Sequence, residues 1–329
     1  MNDRFQMPPL LTNEAGEERR IGFEIEFGGL GIDEASSLIQ SYYGGKIRKI
    51  NPFKCKIEST RWGTFTIELD MRLLNESLLQ ERLRELGIEE REIIDMAQSI
   101  VGTLSETIVP FEIATPPLPL SQIHIMEEIE NALRLQGAKG TGASWIYAFG
   151  LHINPEVPSF KASSILAYLR AFLLLSPWIQ HRSGTDLMRK LSPFIIPFEK
   201  EYTTFVLDSA YHPSLKRLIR DYLLYNPTRN RPLDLLPLFM YLHPEILEST
   251  IKNEKIKARP TYHYRLPNSR IDEPDWHICD EWNRWVEIEK LANDRHLLRE
   301  MSLEYLEYVR RDPLFFEAAW VENVERWMA

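Results

Sequence analysis

The chain has 329 residues, 44% of them hydrophobic and 26% charged, with a net charge of −9. That balance suits a globular enzyme with one large core or two smaller ones, and it argues against nucleic acid or an anionic membrane as the main partner, because both reward basic patches. Two cysteines, Cys55 and Cys279, give neither a disulfide framework nor a zinc cluster and fit reduced thiols in the cytosol.

In chain order, residues 1–19 read as a loose polar arm without the apolar core of a signal peptide. Residues 20–27, RIGFEIEF, read as the first strand. Strand side chains alternate, so Ile21, Phe23, Ile25 and Phe27 point one way and Glu24 and Glu26 the other. Two carboxylates side by side repel unless something positive lies between them. Lys, Arg and water on a solvated face meet that need. So does Mg²⁺, a hard cation that shares carboxylate oxygens with phosphates. The strand alone leaves both readings open.

A helical pattern over residues 33–43 stops at Gly44-Gly45. Sheet follows over 46–50, over 54–58 after a turn at Asn51-Pro52, and over 64–70, where β-branched and aromatic residues alternate most clearly. Residues 73–107 read as helix with a break near Gly87, and 109–114 as a strand ended by Thr115-Pro116-Pro117. A helix over 121–135 has Ser121 as its expected cap. A strand over 145–154 ends at Pro155.

From residue 159 to about 249 helical patterns dominate, with loops near Ser183-Gly184 and over 226–232. The most apolar stretch, 165–175, is too short to span a bilayer and reads as a buried helix. A strand-like run over 261–265 comes late, and helices rich in aromatics follow Trp276. Early strands, later helices and one returning strand make an α+β layout. The expected organisation is one integrated domain over 20–329. Its sheet core is 20–155 plus a return strand within 260–271, its helical portion 156–258, and its C-terminal helices 276–329.

The strands carry polar groups where a plain core would have none: Glu24 and Glu26, then Glu68 and Asp70, then Glu112, His152 and Arg265, with Arg270 following. Each alone has a plain structural reading as a solvated acid, a satisfied histidine or a paired arginine. Together they carry more. If those faces converge on a curved antiparallel sheet, four or five carboxylates share one cavity. Such clustering raises carboxylate pKa values and costs stability unless divalent cations compensate. Arginines would then meet the phosphate end of a ligand. In the 226–232 loop, Arg229 and Arg231 fit either solvent or a phosphate clamp, and Tyr264, beside Tyr262 and His263, fits either sheet packing or a wall for adenine.

The opening Gly22-Phe23-Glu24-Ile25-Glu26-Phe27 resembles the Gly-x-Glu-x-Glu strand of the carboxylate–amine ligase superfamily, which includes glutamine synthetase and glutamate–cysteine ligase. The ordered set Glu24/Glu26, Asp70, Glu112 with Thr115-Pro116-Pro117, Gly150-Leu151-His152 and Arg265 resembles the amidoligase family of bacteria and fungi, over roughly residues 20–271. Two positions depart from that pattern. Arg72 stands where the family often has Ser, and Asn154 where a second His often follows the first.

The resemblance implies a glutamine-synthetase-like curved antiparallel sheet with a large helical portion. It implies a ligase that uses ATP and Mg²⁺, with a substrate carboxylate phosphorylated and then attacked by an amine. Glu24, Glu26 and Glu112 would hold the metal, and Asp70 would bind metal or act as base. His152 would contact the transferring phosphate, and Arg265 and Arg270 would steady the departing phosphate or the oxyanion. Outside that pattern, Arg229 and Arg231 as a phosphate or substrate clamp, and Tyr264 as an adenine wall, are the residues that would help bind ATP. The implied partners are small-molecule or peptide carboxylates and amines in the cytoplasm, with neither nucleic acid nor membrane, and a homo-oligomer is compatible. A scaffold that keeps the cavity without turnover, and a Mg²⁺-dependent phosphohydrolase, stand as alternatives. No P-loop, no Gly-x-Gly-x-x-Gly after a strand and no Gly-x-Ser-x-Gly elbow occurs.

Overall fold

The computed structural model describes residues 4–69, 110–141, 149–183, 195–251 and 256–328. Among these lie nine strands and ten α-helices. The strands are β1 (Arg20–Phe27), β2 (Lys46–Asn51), β3 (Lys54–Thr60), β4 (Gly63–Leu69), β5 (Phe111–Ala114), β6 (Leu118–Pro119), β7 (Leu151–Pro155), β8 (Leu233–Asp234) and β9 (His263–Tyr264). They form one open antiparallel sheet in the order β2-β3-β4-β5-β1-β7-β9-β8, with β6 pairing β1 beyond β5. The first strand of the chain thus lies near the middle, and the late strands extend the sheet on the far side of β7.

Alternation sorts the faces as expected. Ile21, Phe23, Ile25 and Phe27 of β1 are fully buried on one side with Ile67, Ile113, Leu151 and Ile153. Burial of such a side chain stabilises the fold by about 1.5–3 kcal/mol. Helices α1 (Ile32–Tyr43) and α2 (Ile125–Leu135) join this core through Ala35, Ile39, Ile125 and Ile129. Gly44 closes α1 at φ 72°, a left-handed conformation that glycine adopts without strain.

The long helix α3 (Ala162–Ser183) is buried along most of its length. It is long and apolar enough to cross a membrane, but 61% of its most apolar window is buried inside the protein. Pro177 leaves the Leu173 carbonyl without its helical donor. The Ser176 hydroxyl reaches that carbonyl at 3.4 Å. Helices α4 (Lys200–Leu207), α5 (Leu215–Tyr225), α6 (Leu236–Leu242) and α7 (Pro244–Thr250) follow. The chain ends in α8 (Ile278–Asn293), α9 (Arg295–Arg311) and α10 (Phe316–Met328), all three packed on α3.

Two expectations need correction. The N-terminal segment is not loose. Phe5 and Arg19 are buried, the Trp282 indole donates to the Gln6 carbonyl at 2.8 Å, and Asn283 holds the Arg4 carbonyl. Ser121 caps no helix either. It lies inside a 3₁₀ turn (Leu120–Gln122), its amide donates to Glu18, and α2 begins only at Ile125. The helical expectation for 73–107, Asp70 and Arg72, and the first part of the strand over 145–154 lie outside the described residues.

Candidate active site

The polar face of the sheet is where the expected residues meet. Register puts Glu26 opposite Glu112 and Glu112 opposite Glu68, so three carboxylates form one row across β1, β5 and β4. Glu24 stands opposite His152 of β7. Glu24, Glu26, Glu112, His152 and His263 are all buried despite being polar. Ligand atoms of Glu26, Glu112 and His152 lie within 4.8 Å of one another, and so do those of Glu24, His152 and His263.

Local sequence explains the approach. After β5, Thr115 locks its strand onto β1: its hydroxyl accepts the Phe23 amide at 2.9 Å and its own amide donates to the Phe23 carbonyl. Gly150 lets β7 come close. Its amide donates to Glu26 Oε2 at 2.6 Å, and a Cβ there would stand 3.0 Å from His152 Nε2 and 3.3 Å from that Glu26 oxygen. The glycine of Gly-x-His is therefore a packing requirement of the site.

Hydrogen bonds orient the cluster. His152 Nδ1 sits 3.1 Å from Glu24 Oε2, and its Nε2 sits 3.7 Å from Glu26 Oε1. Arg259 reaches Glu24 Oε1 at 2.7 Å, and the Asn154 amide donates to the same oxygen at 3.3 Å. Burial alone would push the Glu24 carboxyl up. The His152 hydrogen bond and the positive groups around it, Arg259 among them, hold it well below the usual carboxylate range.

Asn154 also contacts His263 Nδ1 through its Oδ1. Because Oδ1 only accepts, that contact assigns the proton to Nδ1 and leaves Nε2 as an acceptor. His263 Nε2 is buried and has no hydrogen-bond partner among the described residues. Burial pushes this imidazole well below its usual pKa, against the pull of Glu24, and so favours its neutral form. Asn154 therefore does not leave a gap where the family pattern often has a second histidine: it holds one from another strand.

The arginines divide. Arg265 shares a face with His263, two residues before it, and its guanidinium donates to the Arg229 carbonyl. Arg229 pairs with the buried Asp234 at 3.4 Å. These two arginines border the histidine end of the cluster, and both act electrostatically on Asp234 and His263. Arg231 is buried and binds the carbonyls of Ile196, Pro197 and Tyr225, so it ties loops together where a phosphate clamp was expected. The Arg270 side chain turns to Glu273 and to the Ser183 carbonyl. Tyr264 lies on the opposite face, fully buried against Phe172 and Trp285. An adenine wall is thus replaced by core packing, because alternation puts Tyr264 beneath the strand that carries His263 and Arg265 above it. Asp70 lies outside the described residues.

Sequence reasoning gave no site role to Arg259, and it read His263 only as sheet packing or part of an adenine wall. No local signal marks Arg259, whose partner Glu24 is 235 residues away. His263 could have been found by asking which side chain of the late strand shares a face with Arg265.

A family model described as "Putative amidoligase enzyme" matches residues 17–287. No curated protein and no solved structure matches significantly.

Proposed function

The chain belongs to the amidoligase family of enzymes, and from that premise we propose that it is an ATP- and Mg²⁺-dependent carboxylate–amine ligase. The observation that carries this reading is the convergence of Glu26, Glu112 and His152 ligand atoms within 4.8 Å on the buried polar face. We read the open antiparallel sheet with its acidic face as the glutamine-synthetase-like arrangement.

The residues fit a divalent cation. The two buried carboxylates of Glu26 and Glu112 are the oxygen donors that Mg²⁺ or Mn²⁺ takes, with the His152 imidazole beside them. His263, whose Nε2 has no hydrogen-bond partner among the described residues, adds a ligand atom to the neighbouring group with Glu24 and His152. Glu24, Glu26 and Glu112 would hold the metal, with His152 and His263 beside them. Bound there, the ion would neutralise phosphate charge during phosphoryl transfer.

The chain's own groups account for the rest. Arg229 and Arg265 would orient phosphate oxygens at the histidine end, where guanidinium forks suit them. His152, fixed between Glu24 and Glu26, would hold a proton or a phosphate contact at a defined point. The His152 hydrogen bond, with Arg259 beside it, favours the ionised form of Glu24. In the overall reaction a substrate carboxylate takes the γ-phosphoryl group of ATP, ADP leaves, and an amine displaces phosphate from the acyl phosphate to give an amide. Asp70 would serve as the base that takes the amine's proton. Small-molecule or peptide acids and amines of the cytoplasm are the substrates this chemistry calls for.

The test is phosphate release from Mg-ATP across a panel of carboxylates and amines. Release that requires both an acid and an amine supports the ligase. Release indifferent to any amine identifies a phosphohydrolase, and failure to bind nucleotide identifies a scaffold.

A further inference from the structure

The helical side of the sheet carries a second hollow of opposite charge. A cleft of about 900 Å³ opens between the start of α3, the segment joining α4 to α5, and the start of α9. Its walls carry Lys161, Arg170, His212, Arg295 and Arg299, and no Asp or Glu lines it among the described residues. In a chain of net charge −9, this is a local reversal of the field.

These cations do different things. Arg170 donates to the carbonyls of Val206, Asp208 and Tyr211 at 2.7–2.9 Å, which fastens α3 to the wall of the cleft. Lys161, Arg295 and Arg299 have no ion-pair partner among the described residues, and all three are exposed. Ser163 and Ser209 add hydroxyls at the rim. The positive end of α3 lies at the opening, where the helix field favours an anion, whereas that of α9 is already capped by the Asp294 side chain, which accepts from the His296 and Leu297 amides.

The cleft is separate from the acidic cluster. Tyr168 in its lining stacks on Tyr262 at 4.8 Å, on the core face of the sheet, so the sheet lies between the two sites. Asn293, Arg295 and Arg299 also fall beyond residues 17–287, the span matched by the family.

We propose that this cleft binds a small polyanion bearing phosphate or carboxylate groups. Its volume falls in the range of about 300–1,000 Å³ typical of small-molecule sites. Guanidinium forks recognise both kinds of oxyanion bidentately. Polar walls give an apolar ligand little to bury against.

The test is isothermal titration of the full chain with pyrophosphate and, separately, with citrate, after passage over a chelating resin so that no metal bridges the probe to the acidic cluster and no soluble chelator competes for the cleft. At least one probe should bind, more weakly as salt rises. Arg295→Ala/Arg299→Ala should weaken binding about tenfold or more, as expected for lost charge-assisted hydrogen bonds. Lys161→Ala should weaken it less, and Glu26→Gln and Arg229→Ala should leave it unchanged. Tighter pyrophosphate assigns a phosphate ligand, and tighter citrate a polycarboxylate. Should the double variant lose its circular dichroism, Lys161→Ala and His212→Ala carry the comparison instead. Failure of both probes to bind overturns the proposal, as does binding indifferent to these cleft substitutions or abolished by Arg229→Ala. Because no metal or nucleotide is present, this outcome is independent of the ligase reading.

Discussion

Two groups of buried charge occupy opposite faces of the same sheet, and they are built on different rules. On the core face, Arg19 and Glu289 are both fully buried. The guanidinium meets both carboxylate oxygens at 2.7–2.8 Å, Trp285 and Tyr168 each add a donor, and the remaining Arg19 donors go to the carbonyls of Leu10 and Glu156. One positive and one negative charge close on each other. On the polar face, three carboxylates and two imidazoles instead form two triads that share His152, one with Glu26 and Glu112 and one with Glu24 and His263, the ligand atoms of each triad lying within 4.8 Å of one another. A closed pair fixes a conformation. A convergence of acids is stable only with positive charge supplied, which is the signature of a binding centre.

The sharpest way to break this comparison is to open the closed pair. Arg19→Met should destabilise the protein by about 3–5 kcal/mol, because Glu289 would remain as an uncompensated buried charge. Urea denaturation checks this, and a loss below about 1 kcal/mol would mean the pair is not sealed. Glu26→Gln should do the opposite. Its thermal midpoint should stay near that of the parent, while Mg-ATP turnover falls by more than about a hundredfold, beyond what loss of an outer-shell partner causes. Unchanged turnover would remove the metal assignment.

What the sequence disclosed follows the range of its signals. Period-two alternation is local, so the face shared by Glu24 and Glu26 was legible, and so were the turn at Gly44 and the strand stop at Thr115-Pro116-Pro117. The order of strands was not, because register is set by long-range packing. That is why Arg19, at the end of a segment expected to be loose, turned out to anchor Glu289, 270 residues away. Tyr264 was readable but misassigned: it alternates with Arg265, and only one of the two can face the site. Arg231 was illegible for a different reason. Its partners are loop carbonyls, and a carbonyl leaves no trace in residue identity.

Asn154 tests whether the polar-face group is held as a ligand set. It bridges Glu24 and His263, so Asn154→Ala should lower Mn²⁺ affinity by about 10–100-fold, the usual cost of removing a partner that orients a ligand. Mn²⁺ titration followed by electron paramagnetic resonance reads this directly. Affinity unchanged within error would show that His263 is not part of the centre.

Asp234 marks the boundary between the two rules. It is fully buried with Arg229 at 3.4 Å and the Leu236 amide at 2.9 Å. Glu289, by contrast, has four donors at 2.7–3.0 Å. Burial therefore wins at Asp234 and pushes its carboxyl from 3.8 up to about 6, against the pull of Arg229 and Arg265. A raised carboxyl pKa means the folded state prefers the protonated form. Its stabilisation is complete below about pH 4 and is lost as pH rises through about 6. Asp234→Asn stays neutral and escapes that loss. Relative to the parent, its stability should climb by about 3 kcal/mol across that window and stay level above it. Denaturation measured at a series of pH values checks this. A difference that is flat with pH, or that falls across the window, would mean the arginines seal Asp234 as Arg19 seals Glu289, and the distinction between closed pair and open centre would have to be drawn elsewhere on this face.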